Sequence, residues 1–295
     1  MTVTTLLAEG TRQLSACEIG ESAENCEWLL SSCCGLSRPA LRAYPDAPVE
    51  EKVRLEFLKL LKRKASGEPL SYVLGTHDFA GIRLEVGPGV LVPRPETEEL
   101  VEKIAGLSFN FPPGEGGLFV DMGTGSGCIA AALALKFPSS RVIASDISRR
   151  ALEFAEKNFK KLGLSGRVEP ILCRGLKELA GPRGAGYLTR AVNRKADAVV
   201  SNPPYIPSGD IAGLQKEVLM EPAEALDGGP DGLDTIRLIV SEAPSVLRRG
   251  GWLCLETGTG QPRQVTRLLE SGRWSEIRIE KDFSGKERFV FARVH

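Results

Sequence analysis

Two stretches of this 295-residue sequence carry residue types that chemistry could use. One is Ser201-Asn202-Pro203-Pro204-Tyr205, which follows the apolar run Ala198-Val199-Val200. Two consecutive prolines cannot continue a hydrogen-bonded ladder, because each lacks an N–H and has its φ fixed. The segment is therefore expected to be a rigid edge where a buried strand leaves its sheet. Proline also drives the preceding residue out of the helical region, so Asn202 and Pro203 are held extended. The Asn202 side-chain oxygen and the Pro203 carbonyl can then converge on one point. Two acceptors there suit a planar NH2 group, which has two donors to give, and Tyr205 would add an aromatic wall beside that group. The edge reads as a holder for an amide or an exocyclic amine, both poor nucleophiles, with the lone pair aimed at an electrophile.

The other stretch is Asp121-Met122-Gly123-Thr124-Gly125-Ser126-Gly127, between the strand Leu118-Phe119-Val120 and an Ala-rich helix from Cys128 to Phe137. A glycine-rich strand-to-helix turn lets a ligand approach the backbone closely. Taken alone it fits a dinucleotide enzyme, a methyltransferase or a tight turn. Asp121, just before the glycines, would repel a pyrophosphate but suits the amino group and sulfonium of S-adenosylmethionine. Asp146 ends the second strand about twenty residues further on, where a carboxylate can accept both hydroxyls of a ribose. The Asn-Pro-Pro-Tyr edge ends the fourth strand, and carboxyl ends of parallel strands are where such sheets bind ligands. Cofactor and amine pocket are thus expected face to face.

The elements that must position these groups follow from periodicity. Up to Ala65 the chain reads as helices broken near Gly20, Gly35 and Pro45. Cys26, Leu29, Leu30 and Cys33 give one apolar face, and Val53, Phe57, Leu60 and Leu61 another. The basic run Lys59, Lys62, Arg63, Lys64 reads as a solvated face at a helix C-terminus. From Leu70 to Val92 apolar residues recur mostly every second position, a hairpin-like connector. In Pro93-Arg94-Pro95-Glu96-Thr97-Glu98, Pro95 or Thr97 opens a helix with acidic residues in its first turn, a candidate lip of the site. Thereafter strand and helix alternate, the signature of a parallel sheet covered on both faces. Strands are expected around 142–145, 168–172, 198–201, 252–256, 277–279 and 289–291, with helices at 151–162, capped by Ser148, and 265–269. Gly181 to Lys195 reads as a mobile surface excursion. The fold class is α/β, a Rossmann-like sheet with a small N-terminal helical domain (1–68), a hairpin linker (69–92) and a catalytic domain (93–295).

Composition narrows the function. Thirty-eight basic residues balance thirty-eight acidic ones, leaving no global attraction for a nucleic-acid backbone. No apolar run would span a bilayer, and the first twenty residues resemble no secretory or transit peptide, so a cytoplasmic protein is expected. Seven cysteines without C-x-x-C spacing imply neither a disulfide framework nor a metal site. Of two histidines, His77 reads as a polar residue at a hairpin, and no serine or cysteine nucleophile has a histidine partner.

The aspartate-led glycine loop, Asp146 and Asn-Pro-Pro-Tyr resemble the class I S-adenosylmethionine-dependent amino-methyltransferases. With Pro93-Arg94-Pro95-Glu96-Thr97-Glu98, Glu221-Pro222, Asp231-Gly232-Leu233-Asp234 and the closing Lys281-Asp282 with Gly285 and Arg288, the chain is similar throughout to the PrmC/HemK family. That resemblance implies methylation of the glutamine side-chain amide (N5) in the Gly-Gly-Gln motif of peptide chain release factors, by a protein expected to be a monomer. It places the cofactor on Gly123, Thr124, Gly125, Ser126, Gly127, Asp146 and Asn202. The glutamine falls on Asn202, Pro203, Pro204 and Tyr205, with Asn202, Pro203 and Tyr205 in the catalytic role. Where the family often has an acidic residue and a large side chain near the adenine, this chain has Gly175-Leu176, and Leu176 is expected to pack on the base. Alternatives are an N6-adenine DNA methyltransferase, a ribosomal-protein glutamine methyltransferase and a non-catalytic module that docks a release factor. The first also needs a basic groove and base flipping, which neither the charge balance nor the small helical domain suggests.

Overall fold

A computed structural model describes residues 1–109, 111, 116–180, 194–270 and 272–295. The chain forms two compact units, one of residues 1–77 with 215–220, the other of 78–214 with 221–295.

The first unit is built from amphipathic helices. Helix α1 (Val3–Ala16) opens with a capping box, in which Thr2 and Thr5 each bond the other's backbone N–H. Helices α2 (Ser22–Cys34), α3 (Arg38–Ala43), α4 (Glu51–Ala65) and α5 (Leu70–Leu74) follow. Cys26, Leu29, Leu30, Phe57, Leu60 and Leu61 are buried together with Leu6 and Leu14 of α1. The basic run does not behave as one solvated face. Lys59 and Lys62 are exposed, but Lys64 is 0% exposed: its ammonium donates to the Glu68 carbonyl and pairs with Glu217 of the short helix α10 (Lys216–Leu219). Arg63 is tied to Glu68 and to the carbonyls of Tyr72 and Val73. A buried ammonium is retained only where it is paired and hydrogen-bonded, which is what sequence-distant Glu217 supplies.

The connector differs from a continuous hairpin. Leu70 to Leu74 is helical, ended by Gly75 in the left-handed region, and the hairpin is confined to β1 (Thr76–Phe79) and β2 (Ile82–Glu85). The division between the units falls within β1.

In the second unit, α6 (Pro95–Ala105) precedes strand β3 (Leu118–Met122), α7 (Cys128–Lys136), β4 (Arg141–Asp146), α8 (Arg149–Lys161), β5 (Val168–Leu172), α9 (Leu176–Ala180) and β6 (Ala196–Ser201). After α10 come α11 (Asp234–Val246), β7 (Leu247–Glu256), α12 (Pro262–Glu270), β8 (Trp274–Lys281) and β9 (Glu287–Val294). The sheet order is β5-β4-β3-β6-β7-β9-β8, parallel except that β9 runs antiparallel to both neighbours. Alternation divides each central strand between two cores. Phe119, Val142, Ala198 and Cys254 pack with α6, α7 and α8, whereas Leu118, Val120, Ile143, Val199 and Leu253 pack with α9, α11 and α12. Helix α11 has no counterpart among the expected elements. Of the expected excursion at 181–195, residues 181–193 lie outside the described residues.

The order reverses direction between β3 and β6, since β4 and β5 lie to one side of β3 and β6 and β7 to the other. A crevice opens at the carboxyl ends of strands at such a switch point.

Candidate active site

The crevice is a cleft of about 620 Å³ lined by Met122, Gly123, Gly125, Asp146, Ile147, Ser201, Asn202, Pro203 and Pro204, and closed by residues 89–91 and by the stretch from Pro222 to Leu238. Its floor is the turn after β3. Gly123, Gly125 and Gly127 all have positive φ, and the amides of Gly123 and Thr124 both bond the Ser145 carbonyl of neighbouring β4. A side chain at Gly123 or Gly125 would meet nothing within 4 Å, so the backbone faces open space there.

The turn's other residues serve the fold. A Cβ at Gly127 would stand 2.6 Å from the Phe159 ring, so this glycine lets α7 start against α8. Thr124 and Ser126 are buried. Thr124 Oγ1 donates to Asp121 Oδ2 at 2.6 Å, and the same oxygen accepts the Ala130 amide at 3.0 Å. Asp121 lies beneath the turn and outside the cleft lining, with Oδ2 taken by those two hydrogen bonds and Oδ1 unpartnered among the described residues, and burial pushes its carboxyl up to about 7. Leu176 is 0% exposed in the α9–α11 core and does not line the cleft. Exposure at the cleft belongs instead to Ile147, 56% exposed directly after Asp146.

Asp146 ends β4 with one oxygen accepting the Gly125 amide and the other the Ser148 amide, both at 2.8 Å. Burial raises its pKa against these bonds. A carboxylate has about four acceptor positions, so two remain for a ligand.

The Asn-Pro-Pro-Tyr edge leaves β6 pinned from both sides. Gln261 Nε2 donates to the Tyr205 carbonyl at 2.8 Å, and Ile206 pairs with Asp227 through bonds from the Ile206 amide to Leu226 and from the Gly228 amide to Ile206. Asn202 Nδ2 donates to Thr97 Oγ1 at 2.9 Å, and Thr97 Oγ1 donates to Glu256 Oε2 at 2.7 Å. Among the described residues, nothing donates to Asn202 Oδ1 or to the Pro203 carbonyl. Tyr205 is half-buried against the α11–α12 core, outside the cleft lining, and burial pushes its phenol up to about 12. Glu256 closes β7 as Asp146 closes β4. It is wholly buried, burial raises its carboxyl to about 7 against the hydroxyls of Thr97 and Tyr205, and among the described residues its Oε1 makes no hydrogen bond of good geometry. The lip is held by Glu221, which accepts from Arg94 at 2.8 Å and from the Val92 amide at 3.2 Å. Thr97 is expected only as part of the lip stretch from Pro93 to Glu98, without a role of its own; Glu256 and Ile147 are not expected, although a carboxylate ending an apolar strand is a signal for Glu256.

The methyltransferase small domain family matches residues 106–233, and the PrmC N-terminal domain family matches residues 5–75. The catalytic domain of hMettl16, solved with a MAT2A 3'UTR hairpin, has the same fold, with a TM-score of 0.56 at 15% identity over 80% of this chain and 82% of that one. Sheet, turn and edge define a Rossmann-like methyltransferase. A release factor glutamine methyltransferase of Moorella thermoacetica is 38% identical over 99% of this chain and 98% of its own length. That of Geobacter sulfurreducens is 39% identical over 91% and 88%. The chain belongs to the release factor glutamine methyltransferase family.

Proposed function

We propose that this chain transfers a methyl group from S-adenosylmethionine to the side-chain amide nitrogen (N5) of the glutamine in the Gly-Gly-Gln motif of peptide chain release factors, modulating translation termination. The observation that carries this reading is the pair of unengaged acceptors, Asn202 Oδ1 and the Pro203 carbonyl, on a pinned edge beside the glycine-floored cleft.

The cleft fits the cofactor. Gly123 and Gly125 offer bare backbone, Asp146 keeps two acceptor positions for ribose hydroxyls, and Ile147 gives an apolar platform for a base. When bound, S-adenosylmethionine supplies an electrophilic methyl group. The chain's own residues must then make an amide nitrogen, whose lone pair is delocalised into its carbonyl, into a nucleophile. Asn202 Oδ1 and the Pro203 carbonyl accept its two N–H bonds, which fixes the amide plane and points the lone pair into the cleft. Among the described residues, neither histidine nor cysteine lines the cleft. Acid–base catalysis would contribute about 10²–10⁴-fold, whereas near-attack orientation contributes up to roughly 7–11 kcal/mol, so positioning dominates. The methylated amide nitrogen then gives up its excess proton to solvent. Thr124, Ser126, Gly127 and Asp121 act in this scheme by shaping the turn.

The same reading assigns substrate recognition to the helical unit and a monomeric, cytoplasmic enzyme to the whole. No helix among the described residues is long and apolar enough to cross a membrane. The test is peptide-level mass spectrometry of an unmethylated release factor after incubation with the protein and S-adenosylmethionine. One added methyl on the Gly-Gly-Gln glutamine is expected. Labelled methyl on DNA or another translation protein instead would replace the substrate. Asn202→Ala should lower kcat far more than cofactor affinity, and an unchanged kcat would remove Asn202 from its role.

A further inference from the structure

A side-chain amide presents an oxygen on one side and an NH2 on the other, and a half-turn about its last bond exchanges them. For Asn202 the exchange would be fatal to the reading above, on which this inference rests, because two donors would then face the two donors of the substrate amide. Something must hold Asn202 the right way round, and the backbone of the Pro-Pro edge cannot, since it does not touch the amide's rotation.

We infer that Thr97 is a positioning residue that sets the direction of the Asn202 amide, with Glu256 fixing the direction of Thr97. The chain of three is buried at its base: Thr97 is 1% exposed and Glu256 0%. Thr97 has one hydroxyl proton, and it lies on Glu256 Oε2 at 2.7 Å. A carboxylate can only accept, so the proton is committed there. This commitment belongs to the ionised carboxylate: a proton on Oε2 would itself be donated to Thr97 Oγ1 and release the hydroxyl proton towards Asn202, so the direction is set with Glu256 ionised. What Thr97 Oγ1 turns toward Asn202 is therefore a lone pair. Only the NH2 side of Asn202 can meet it, at 2.9 Å, and Oδ1 is left on the opposite side as an acceptor. The orientation follows from donor and acceptor inventory, independently of how the amide is drawn.

The three residues come from widely separated elements, the first turn of α6, the end of β6 and the end of β7, all within the second unit. This gives Thr97, inside Pro95-Glu96-Thr97-Glu98, a task distinct from opening a helix.

The test compares Thr97→Val, which keeps the shape and loses the hydroxyl, with Thr97→Ser, which keeps the hydroxyl. Expected is a fall in kcat of about 10²-fold for Thr97→Val, the order lost when a reacting group is misplaced. Cofactor Kd should stay within about 3-fold, and Thr97→Ser should retain most of the activity, as a hydrogen-bond role requires. Wild-type kcat in Thr97→Val, or equal damage in both variants, would overturn the inference. A second measurement stands apart from the substrate: proton exchange at the Asn202 side-chain NH2 in [15N]asparagine-labelled protein, its signals identified by their loss in Asn202→Ala. Slowed exchange in wild type and Thr97→Ser but not in Thr97→Val supports the inference even if the release factor proves the wrong substrate. Equal exchange in all three overturns it. A wild-type protein that leaves the glutamine unmethylated while that protection is present refutes the substrate reading alone.

Discussion

Two glycines of one turn should respond to alanine in different ways. Gly127 has φ +83° and a Cβ there would stand 2.6 and 2.7 Å from two atoms of the Phe159 ring and 3.2 Å from Ala155. Both neighbours are buried, so neither can swing into solvent. Left-handed backbone costs an alanine about 1–2 kcal/mol and overpacking a filled core about 1–3 kcal/mol, so Gly127→Ala should lose roughly 2–5 kcal/mol. Gly125 has φ +56° with no atom within 4 Å of a Cβ. Gly125→Ala should therefore lose only the backbone term, about 1–2 kcal/mol. The assay is urea denaturation without cofactor, in a Trp28→Phe background so that the buried Trp252 and Trp274 report on the second unit alone. The Gly125 variant should pair its mild destabilisation with weakened cofactor binding, because its backbone faces the cleft. Equal losses for the two variants, or less than about 1 kcal/mol for Gly127→Ala, would refute the packing argument.

Asp146→Asn turns one accepting oxygen into a donor facing either the Gly125 or the Ser148 amide. Cofactor Kd, read by calorimetry, should rise about 10- to 100-fold, matching roughly 1.5–3 kcal/mol for a hydrogen bond to a charged group, with kcat at saturation little changed. Glu256, held at about 7 in the fold against an ordinary 4.5, keeps its proton in the native state after the unfolded chain has lost it. Its stabilising share is thus complete below about pH 4.5 and gone above about pH 7, a difference on the order of 3 kcal/mol. Denaturation midpoints should fall from pH 5 to 8 more steeply in wild type than in Glu256→Gln; parallel curves would show that Glu256 is not held protonated.

What periodicity and turn chemistry determine locally was legible. The strand ends at Asp146 and Ser201, the Ser148 cap and the buried face of Cys26, Leu29 and Leu30 each follow from a few adjacent residues. Helix α11 was not read, although Ile236, Ile239, Val240 and Ala243 carry the spacing, because Pro244 looks like an interruption and here sits in the last turn. The site was legible where the backbone makes it, at Gly123, Gly125 and the Pro-Pro edge. It was not where tertiary packing decides which face a residue shows. Asp121 and Leu176 look like ligand contacts because they adjoin strand ends, yet the turn covers one and the α9–α11 core takes the other. Thr97 and Asn202 are too far apart in sequence for any local pattern to pair them.

The partnership of Lys64 with Glu217 bears on the order in which the protein can be made. The first unit borrows residues 215–220, so a ribosome that has just released Ala65 or His77 has not yet supplied the carboxylate that the buried ammonium needs. At roughly 5–20 residues per second, well over a hundred further residues take on the order of 10 s. During that interval the helical unit must either leave Lys64 in water or bury an unpaired charge, and the second course is prohibitive. The N-terminal helices are therefore expected to finish closing only after Glu217 has been synthesised. A chain stopped at residue 77 should be more readily proteolysed than the same helices in the whole protein.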